Sequence, residues 1–552
     1  MGHKNGWHIK PKETIRDFNK WSVFTVAIVL FMGLPIYTIA LRIFSGPGES
    51  WQHLVDHVLL DYVGNSLWLI LGCTIMTLAM GVSAAWFLSR YHLPGHRWLE
   101  WLLILPLAFP SYITAYAYAG FFDYGGSFGR MFQALGLQAP RVDVMNVPGL
   151  VFVLSVSLFP YVYVASRAVF VYQSSRLMEA SKLLGATEFK TFFKIVLPMA
   201  RPGIFAGLLL VVMEVLNDYG AAKYYGVSTF TTGIFRAWFA LEEPATAIYL
   251  SALLLGLVAL FVLLERWQRG QKSYALASKS KIKLPKIKAS PPKRILFLSI
   301  IAVPLVFGFL LPVLQLGHWS VLTFHKVASG AFLGIALKSL GVALLTALLT
   351  VMVALMTLYF PVWNRLGFLR KSGKLAILGY AVPGAVLAIG VMIPTLGLDR
   401  WLMGVARELF RADVGLLLNG TLGVLVYAYI IRFLAVAANP IQSNQLKIKQ
   451  SLSDASRLLG RGPWRTFLKI DLPLLKPGLL AAFILVFVDT MKELPLTLIL
   501  KPYDFNTLAV KAYEYASDEQ VMEASLPALC IVLTGVVPIV LLNRFILNDR
   551  TD

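Results

Sequence analysis

EASKLLGATEFKTFFKIVLPMARPG runs from Glu179 to Gly203, and DASRLLGRGPWRTFLKIDLPLLKPG runs from Asp454 to Gly478. The two stretches align without a gap at an offset of 275, and 13 of the 25 positions are identical. The register holds further along: Glu214 aligns with Asp489, Asp218 with Glu493, Phe230 with Phe505 and Thr232 with Thr507. The chain therefore reads as two copies of one unit, residues 1–265 and 295–552, joined by a linker over residues 266–294.

What surrounds the repeats is apolar. Of 552 residues, 57% are hydrophobic and only 14% charged, against roughly 25% charged in an ordinary soluble domain. A bilayer core asks for about 20 apolar residues per helical span. Twelve such runs are expected, centred near Val29, Thr74, Ala108, Val156, Leu209, Leu254, Val303, Leu349, Val386, Tyr427, Val486 and Val532. The expected fold class is an all-α membrane protein in two homologous six-helix halves. An even number of spans per copy makes both copies run the same way, about a pseudo-two-fold axis along the membrane normal.

The net charge of +21 invites a nucleic-acid reading, but its distribution argues for membrane orientation. The linker holds Arg266, Arg269, Lys272, Lys279, Lys281, Lys283, Lys286, Lys288, Lys293 and Arg294 without an acid among them, whereas residues 44–64 have neither Lys nor Arg. Basic loops mark the cytoplasmic side. This threading puts both termini and both repeated loops in the cytoplasm, and Arg130, Arg141, Lys223, Arg236, Lys326 and Arg400 outside. The first run lacks a small-residue cleavage pattern after it and is expected to be retained. Cys73 and Cys530 both sit in apolar runs and offer no disulfide or metal framework.

Each repeated loop predicts a helix, a turn and a second helix. Gly185 and Gly460 supply the left-handed residue that ends the first helix. Thr187 starts the second helix as an N-cap, and Gly462 with Pro463 does so at the equivalent place. Phe189, Phe192, Phe193 and Val196 recur at helical spacing, matched by Trp464, Phe467 and Leu468, with Pro198 and Pro473 expected to stop the helix. Lipid headgroups and a protein partner would each fit one amphipathic loop. The duplicated Ala-Ser…Leu-Leu-Gly order favours a protein, and two loops on one face suggest a two-fold partner.

The pattern Glu-Ala-Ser-x3-Gly-x9-Ile-x-Leu-Pro resembles the cytoplasmic "EAA" loop of permease subunits in binding-protein-dependent ABC importers. The resemblance rests on Glu179, Ala180, Gly185, Ile195, Leu197 and Pro198, and on Ala455, Gly460, Ile470, Leu472 and Pro473. Asp454 replaces the usual Glu, and Ser181 and Ser456 replace the second Ala. It implies that these loops dock an ABC ATPase homodimer on the cytoplasmic face, and that a periplasmic or extracellular binding protein delivers the solute in a bacterial inner membrane. The chain itself lacks a G-x4-G-K-[ST] phosphate loop, so no enzymatic activity and no cofactor are expected of it, and ATP and Mg belong to the partner. EVLNDYGAAKYYGVSTFTTGIFRAWF (214–239) and DTMKELPLTLILKPYDFNTLAV (489–510) are similar to fused ferric iron permeases. Thiamine and phosphonate permeases, or a secondary transporter driven by an ion gradient, are the alternatives.

Candidate pathway residues are the acids at membrane depth. Glu214 and Asp218 lie i, i+4 on one helical face, and Asp489 and Glu493 repeat the spacing beside Lys492. Ionisable groups in spans are costly and face a pathway or a partner. They suit a hard cation, or they pair as struts with Lys492, Lys223, Arg167 or Arg432. Tyr112, Tyr116, Tyr118, Tyr124, Tyr161, Tyr163, Tyr219, Tyr224 and Tyr225 are expected in the interfacial aromatic belt. His53 and His57, also i, i+4, are expected at the membrane interface, not as a metal pair.

Overall fold

The computed structural model describes residues 20–171, 178, 180, 181, 183–269, 286–361, 382–411, 413–448, 450–460 and 462–548. Glu179 and most of the basic linker lie outside these residues, as does the side chain of Asp454. Among the described residues the chain is helical almost throughout, and nine helices are long and apolar enough to cross a membrane. Two bent helix pairs pass the same test when taken together, His96–Ala108 with Ser111–Ala134 at 92° and Pro463–Leu474 with Lys476–Met491 at 73°, as broken spans or re-entrant loops, and Ser525–Pro538 is a shorter apolar helix. Every expected centre falls on one of these segments. The first bend sits at Phe109-Pro110, where proline cannot continue the ladder and starts the next helix as its N-cap. Pro383 stands in the same position before the Gly384–Phe410 helix.

The chain packs into two compact units that do not follow the halves of the duplication. One comprises residues 1–45, 337–506 and 538–552. Here the Lys20–Arg42 helix lies on Gly384–Phe410, and the Thr38 hydroxyl donates to the Gly390 carbonyl at 2.9 Å. Gly390 is required there, because a Cβ would come 2.7 Å from the Pro35 carbonyl oxygen. The Tyr427 hydroxyl donates to the Phe31 carbonyl at 2.5 Å. The other unit comprises residues 46–336 and 507–537. Its centre is the Leu59–Arg90 helix against Val147–Phe170, with Leu197–Asn217 across both. The Pro291–Val327 helix joins this unit, its Phe297 ring stacking on Phe87 at 4.1 Å and its Phe307 carbonyl accepting from Tyr118 at 2.8 Å. Each unit thus takes the opening span of the other half.

A short connection at residues 46–50 is tied to the turn before the Pro244–Arg269 helix. The Glu243 carboxylate accepts from the Ser50 hydroxyl at 2.5 Å, the Ser50 amide at 3.1 Å and the Thr246 hydroxyl at 2.6 Å. The Ser50 and Thr246 hydroxyl bonds hold the Glu243 carboxyl below its ordinary range. The tether therefore contributes stability above the ordinary carboxylate range and loses it as pH falls through the lowered value. Trp51, whose ring centroid lies 5.2 Å from that of Tyr249, is the reporter. Its fluorescence is expected to change in an acid titration of the wild type, and Glu243→Gln is expected to remove the transition; an identical titration in the variant would assign it elsewhere.

Candidate functional site

The two repeated loops adopt one construction twice. Gly185 and Gly460 have φ of +74° and +77°. The turn closes through Leu184 and Leu459, whose amides donate to the carbonyls of Ala180 and Ala455, both at 3.1 Å. Thr187 then caps the next helix, accepting from the Lys190 amide at 3.3 Å, while Gly462 and Pro463 open the matching helix. Between the two helices of each loop sits a buried hydroxyl pair: Ser181 to Thr191 at 2.7 Å, and Ser456 to Thr466 at 2.9 Å. The serines that depart from the family pattern are the ones that pin the loop together.

The aromatic stripe divides into an inner and an outer part. Phe192 packs against Trp86 at 5.0 Å, and its counterpart Phe467 against Tyr359 at 4.7 Å. Outward, Leu183, Leu184 and Phe189 stand exposed in the first loop, as do Leu458, Leu459 and Trp464 in the second. Ala180 and Ala455 are exposed beside them, Ile195, Ile470 and Pro198 are half-buried, and Pro473 is exposed. Burying each large apolar side chain is worth about 1.5–3 kcal/mol, so the two clusters leave a substantial apolar surface uncovered.

Pro198 does not stop its helix, contrary to expectation. Residues 192–196 widen into a π-helical turn, and the helix runs unbroken from Glu188 to Asn217. The proline ring denies one amide to the ladder, and the wider turn shifts the hydrogen-bond register around it. Phe467–Asp471 repeats the π turn, but there the axis breaks at Leu475, one residue before Lys476–Met491. Glu188 also accepts from the Tyr91 hydroxyl at 2.9 Å, tying the loop to the end of the Leu59–Arg90 helix. Burial, with that bond, pushes the Tyr91 phenol well above its ordinary range and keeps it a donor.

Asp218, Glu493 and Asp489 are held by groups of the protein itself. Asp218 ends the Leu197–Asn217 helix and accepts from the amides of Ala221 and Ala222 at 3.0 Å, and from the Ser111 hydroxyl. It thereby braces the start of a short helix, Gly220–Tyr224. Glu493 does the same for Pro495–Leu500, accepting from the Leu496 amide at 3.2 Å, and also pairs with Arg432 at 3.1 Å in a buried bridge. Asp489 pairs with Lys492 at 2.9 Å. Glu214 is half-buried. Arg167, a conceivable partner for these acids, instead holds Glu100 at 2.6 Å. The bracing roles of Asp218 and Glu493 were not readable from the i, i+4 spacing, because the helix breaks at each acid.

Six of the nine tyrosines expected in an interfacial belt face the protein interior instead. Tyr112, Tyr116, Tyr118, Tyr163, Tyr219 and Tyr225 are buried within the protein, whereas Tyr124 is 94% exposed. A cavity of about 890 Å³ in the unit of residues 46–336 and 507–537 has Tyr224, Tyr513, Asp123, Glu519 and Lys223 on its wall. Neither Glu214 nor Asp218 lines it. Tyr513, Asp123 and Glu519 were missed in the sequence, where nothing periodic marks them. His53 and His57 stack on each other at 4.6 Å, and no cluster of three or more His, Cys, Asp or Glu suited to a metal occurs among the described residues.

Comparison with known proteins adds the family. The model for "binding-protein-dependent transport system inner membrane component" matches twice, at residues 77–272 and 372–550. The Fe(3+)-transport system permease protein FbpB 2 of Haemophilus influenzae is 27% identical over 527 residues, covering 94% of this chain and 97% of that protein. The spermidine/putrescine permease PotB of the same organism is 27% identical over 38% of this chain and 79% of its own length. The sulfate permease CysT of Synechocystis is 24% identical over 45% of this chain and 89% of its own length. Two family domains in one apolar chain, each carrying the same exposed loop, make this protein a multi-pass transport permease of the binding-protein-dependent inner-membrane family.

Proposed function

We propose that this permease forms the membrane pathway of an ATP-driven importer for ferric iron, fed by an external binding protein. The iron reading is carried by the end-to-end similarity to the Haemophilus iron permease, which spans both copies of the repeat. The sulfate and polyamine permeases match less than half of the chain. In this reading the ATPase homodimer docks on the loops that carry Glu179, Ala180, Gly185, Ile195 and Pro198, and Asp454, Ala455, Gly460, Ile470 and Pro473. ATP and Mg are bound there, and the permease contributes motion instead of catalysis. The exposed leucine pairs at 183–184 and 458–459 support that assignment. Both termini and the linker lie on the cytoplasmic side of a bacterial inner membrane. Asp218 and Glu493 serve as braces of short helices next to breaks in the spans, and Glu214 and Asp489 accompany them on the pathway.

The test is uptake of radiolabelled ferric iron by iron-starved cells with and without this chain, with labelled thiamine alongside. Iron uptake is expected to fall at least tenfold without the chain, and thiamine uptake to stay the same. Unchanged iron uptake in cells with no other iron importer would remove iron from the reading. Transport that persists without an ATPase partner would replace the ABC reading with a secondary transporter.

A further inference from the structure

Tyr91 stands where three parts of the chain meet. It follows the Leu59–Arg90 helix, and its backbone, with that of His92, pairs in parallel with Ile287 and Lys288 at the end of the basic linker. Its ring packs on Phe297 of the Pro291–Val327 helix at 4.7 Å, and its hydroxyl donates to Glu188 in the first repeated loop at 2.9 Å. One residue before the paired strand, Lys286 reaches Glu100 at 3.6 Å. Glu100 also holds Arg167, in the last turn of the Val147–Phe170 helix that leads into the same loop. The three charged side chains are 19–28% exposed, so their attraction is screened less than that of a surface pair.

The second loop lacks the groups for this anchorage. At the offset of 275, Pro463 stands where the first loop has Glu188, and Gln442 stands where Arg167 precedes it. The offset holds in space as well. A Cβ on Gly203 would meet Ala165 and Val169, and one on Gly478 would meet Pro440 and Asn444. Proline offers no side-chain acceptor, and glutamine carries no charge.

We propose that residues 286–288 form a strap that couples the first repeated loop, and not the second, to the opening span of the second half, with Tyr91 as the positioning residue at the junction. Coupling between sites is carried by chains of packed side chains, hydrogen bonds and ion pairs, and here the chain is short. A displacement of Glu188 pulls on the Tyr91 hydroxyl. Tyr91 passes it to Ile287 through the strand pairing and to Phe297 through ring contact, with no side chain in between. Glu100 ties the same strap to the helix that enters the loop from its other end. Two loops alike in their turns thus hand motion on unequally. The proposal rests on the reading of these loops as the ATPase docking sites.

The experiment is amide hydrogen exchange on the full chain in lipid nanodiscs, which reads local opening. In the wild type, residues 188–196 are expected to exchange more slowly than residues 463–471. Tyr91→Phe keeps the ring and loses only the hydroxyl. It is expected to speed exchange over 188–196 at least fivefold and to leave 463–471 unchanged. Glu188→Gln retains an acceptor and is expected to stay within twofold of the wild type. If Tyr91→Phe fails to accumulate, Lys286→Met is expected to speed exchange over 188–196 at least threefold. In proteoliposomes with the ATPase, Tyr91→Phe is expected to lower iron carried per ATP hydrolysed at least threefold, with hydrolysis itself within twofold. Equal exchange in the wild type and Tyr91→Phe, an equal response of both loops, or unchanged iron carried per ATP overturns the strap. The exchange arm uses neither ATPase nor iron, so a wild type that shows the exchange pattern but recruits no ATPase sinks the docking reading alone.

Discussion

Replacing Arg432 with methionine is expected to strip most of the folded chain from the membrane. Arg432 lies in the Leu422–Gln445 helix, where its guanidinium donates to Glu493 at 3.1 Å and to the Val382 carbonyl at 3.0 Å. Both charged side chains are only 6% exposed. Removing one partner leaves a buried carboxylate and a buried carbonyl unmatched, a loss of about 3–5 kcal/mol from a folded state worth roughly 5–15 kcal/mol. The companion variant Arg432→Met/Glu493→Gln removes both charges and is expected to recover much of the loss, since the penalty belongs mainly to the orphaned charge. Abundance in detergent-extracted membranes and the melting midpoint of the purified chain measure both. Wild-type abundance and melting in Arg432→Met would show that the bridge contributes nothing.

Gly185→Leu with Gly460→Leu is expected to abolish uptake while leaving the permease in the membrane. The two glycines hold φ of +74° and +77°, with open space where a side chain would go. Strain, not collision, is therefore the cost: an L-residue in this conformation loses about 1–2 kcal/mol. That is small beside total stability but large for a surface turn that aims two exposed leucines. Uptake is expected to fall at least tenfold, and the ATPase to be lost from a pull-down of the tagged chain. Full transport with normal ATPase recovery would remove the docking role from these turns. Either glycine changed alone is expected to produce an intermediate loss, because each loop is built independently.

The duplication made much of this legible. A gapless offset of 275 located both loops, both glycine turns and the paired acids, and apolar run length located the spans. Local rules sufficed where local chemistry decides, as at Gly185, Thr187 and Pro463. They failed where partners come from far along the chain. Nothing near Asp218 announces Ser111, and nothing near Tyr219 announces Tyr513. Composition alone does not separate a phenol facing headgroups from one facing other phenols, so a run of tyrosines predicts a belt whether or not its rings turn inward. Pro198 predicts a stop, and the π turn before it compensates in a way that sequence spacing does not display. Spacing shows Ser181 and Ser456 only as departures from the repeated pattern, because their partners Thr191 and Thr466 lie ten residues on and across the turn.

The exchange of opening spans has a consequence for how the protein is made. Thr38 finds its acceptor, Gly390, 352 residues later in the chain. At a synthesis rate of about 5–20 residues per second, the first helix waits in the bilayer for roughly 20–70 s before its binding surface exists. During that interval the Thr38 hydroxyl has only the Pro35 carbonyl of its own helix, at 2.9 Å, as a protein acceptor, and the tight face around Pro35 meets lipid or an insertion chaperone. Fusing the two copies into one polypeptide keeps the waiting helix tethered near the surface it will meet. Two separate half-length chains would have to find that match by diffusion, in competition with every other newly inserted helix.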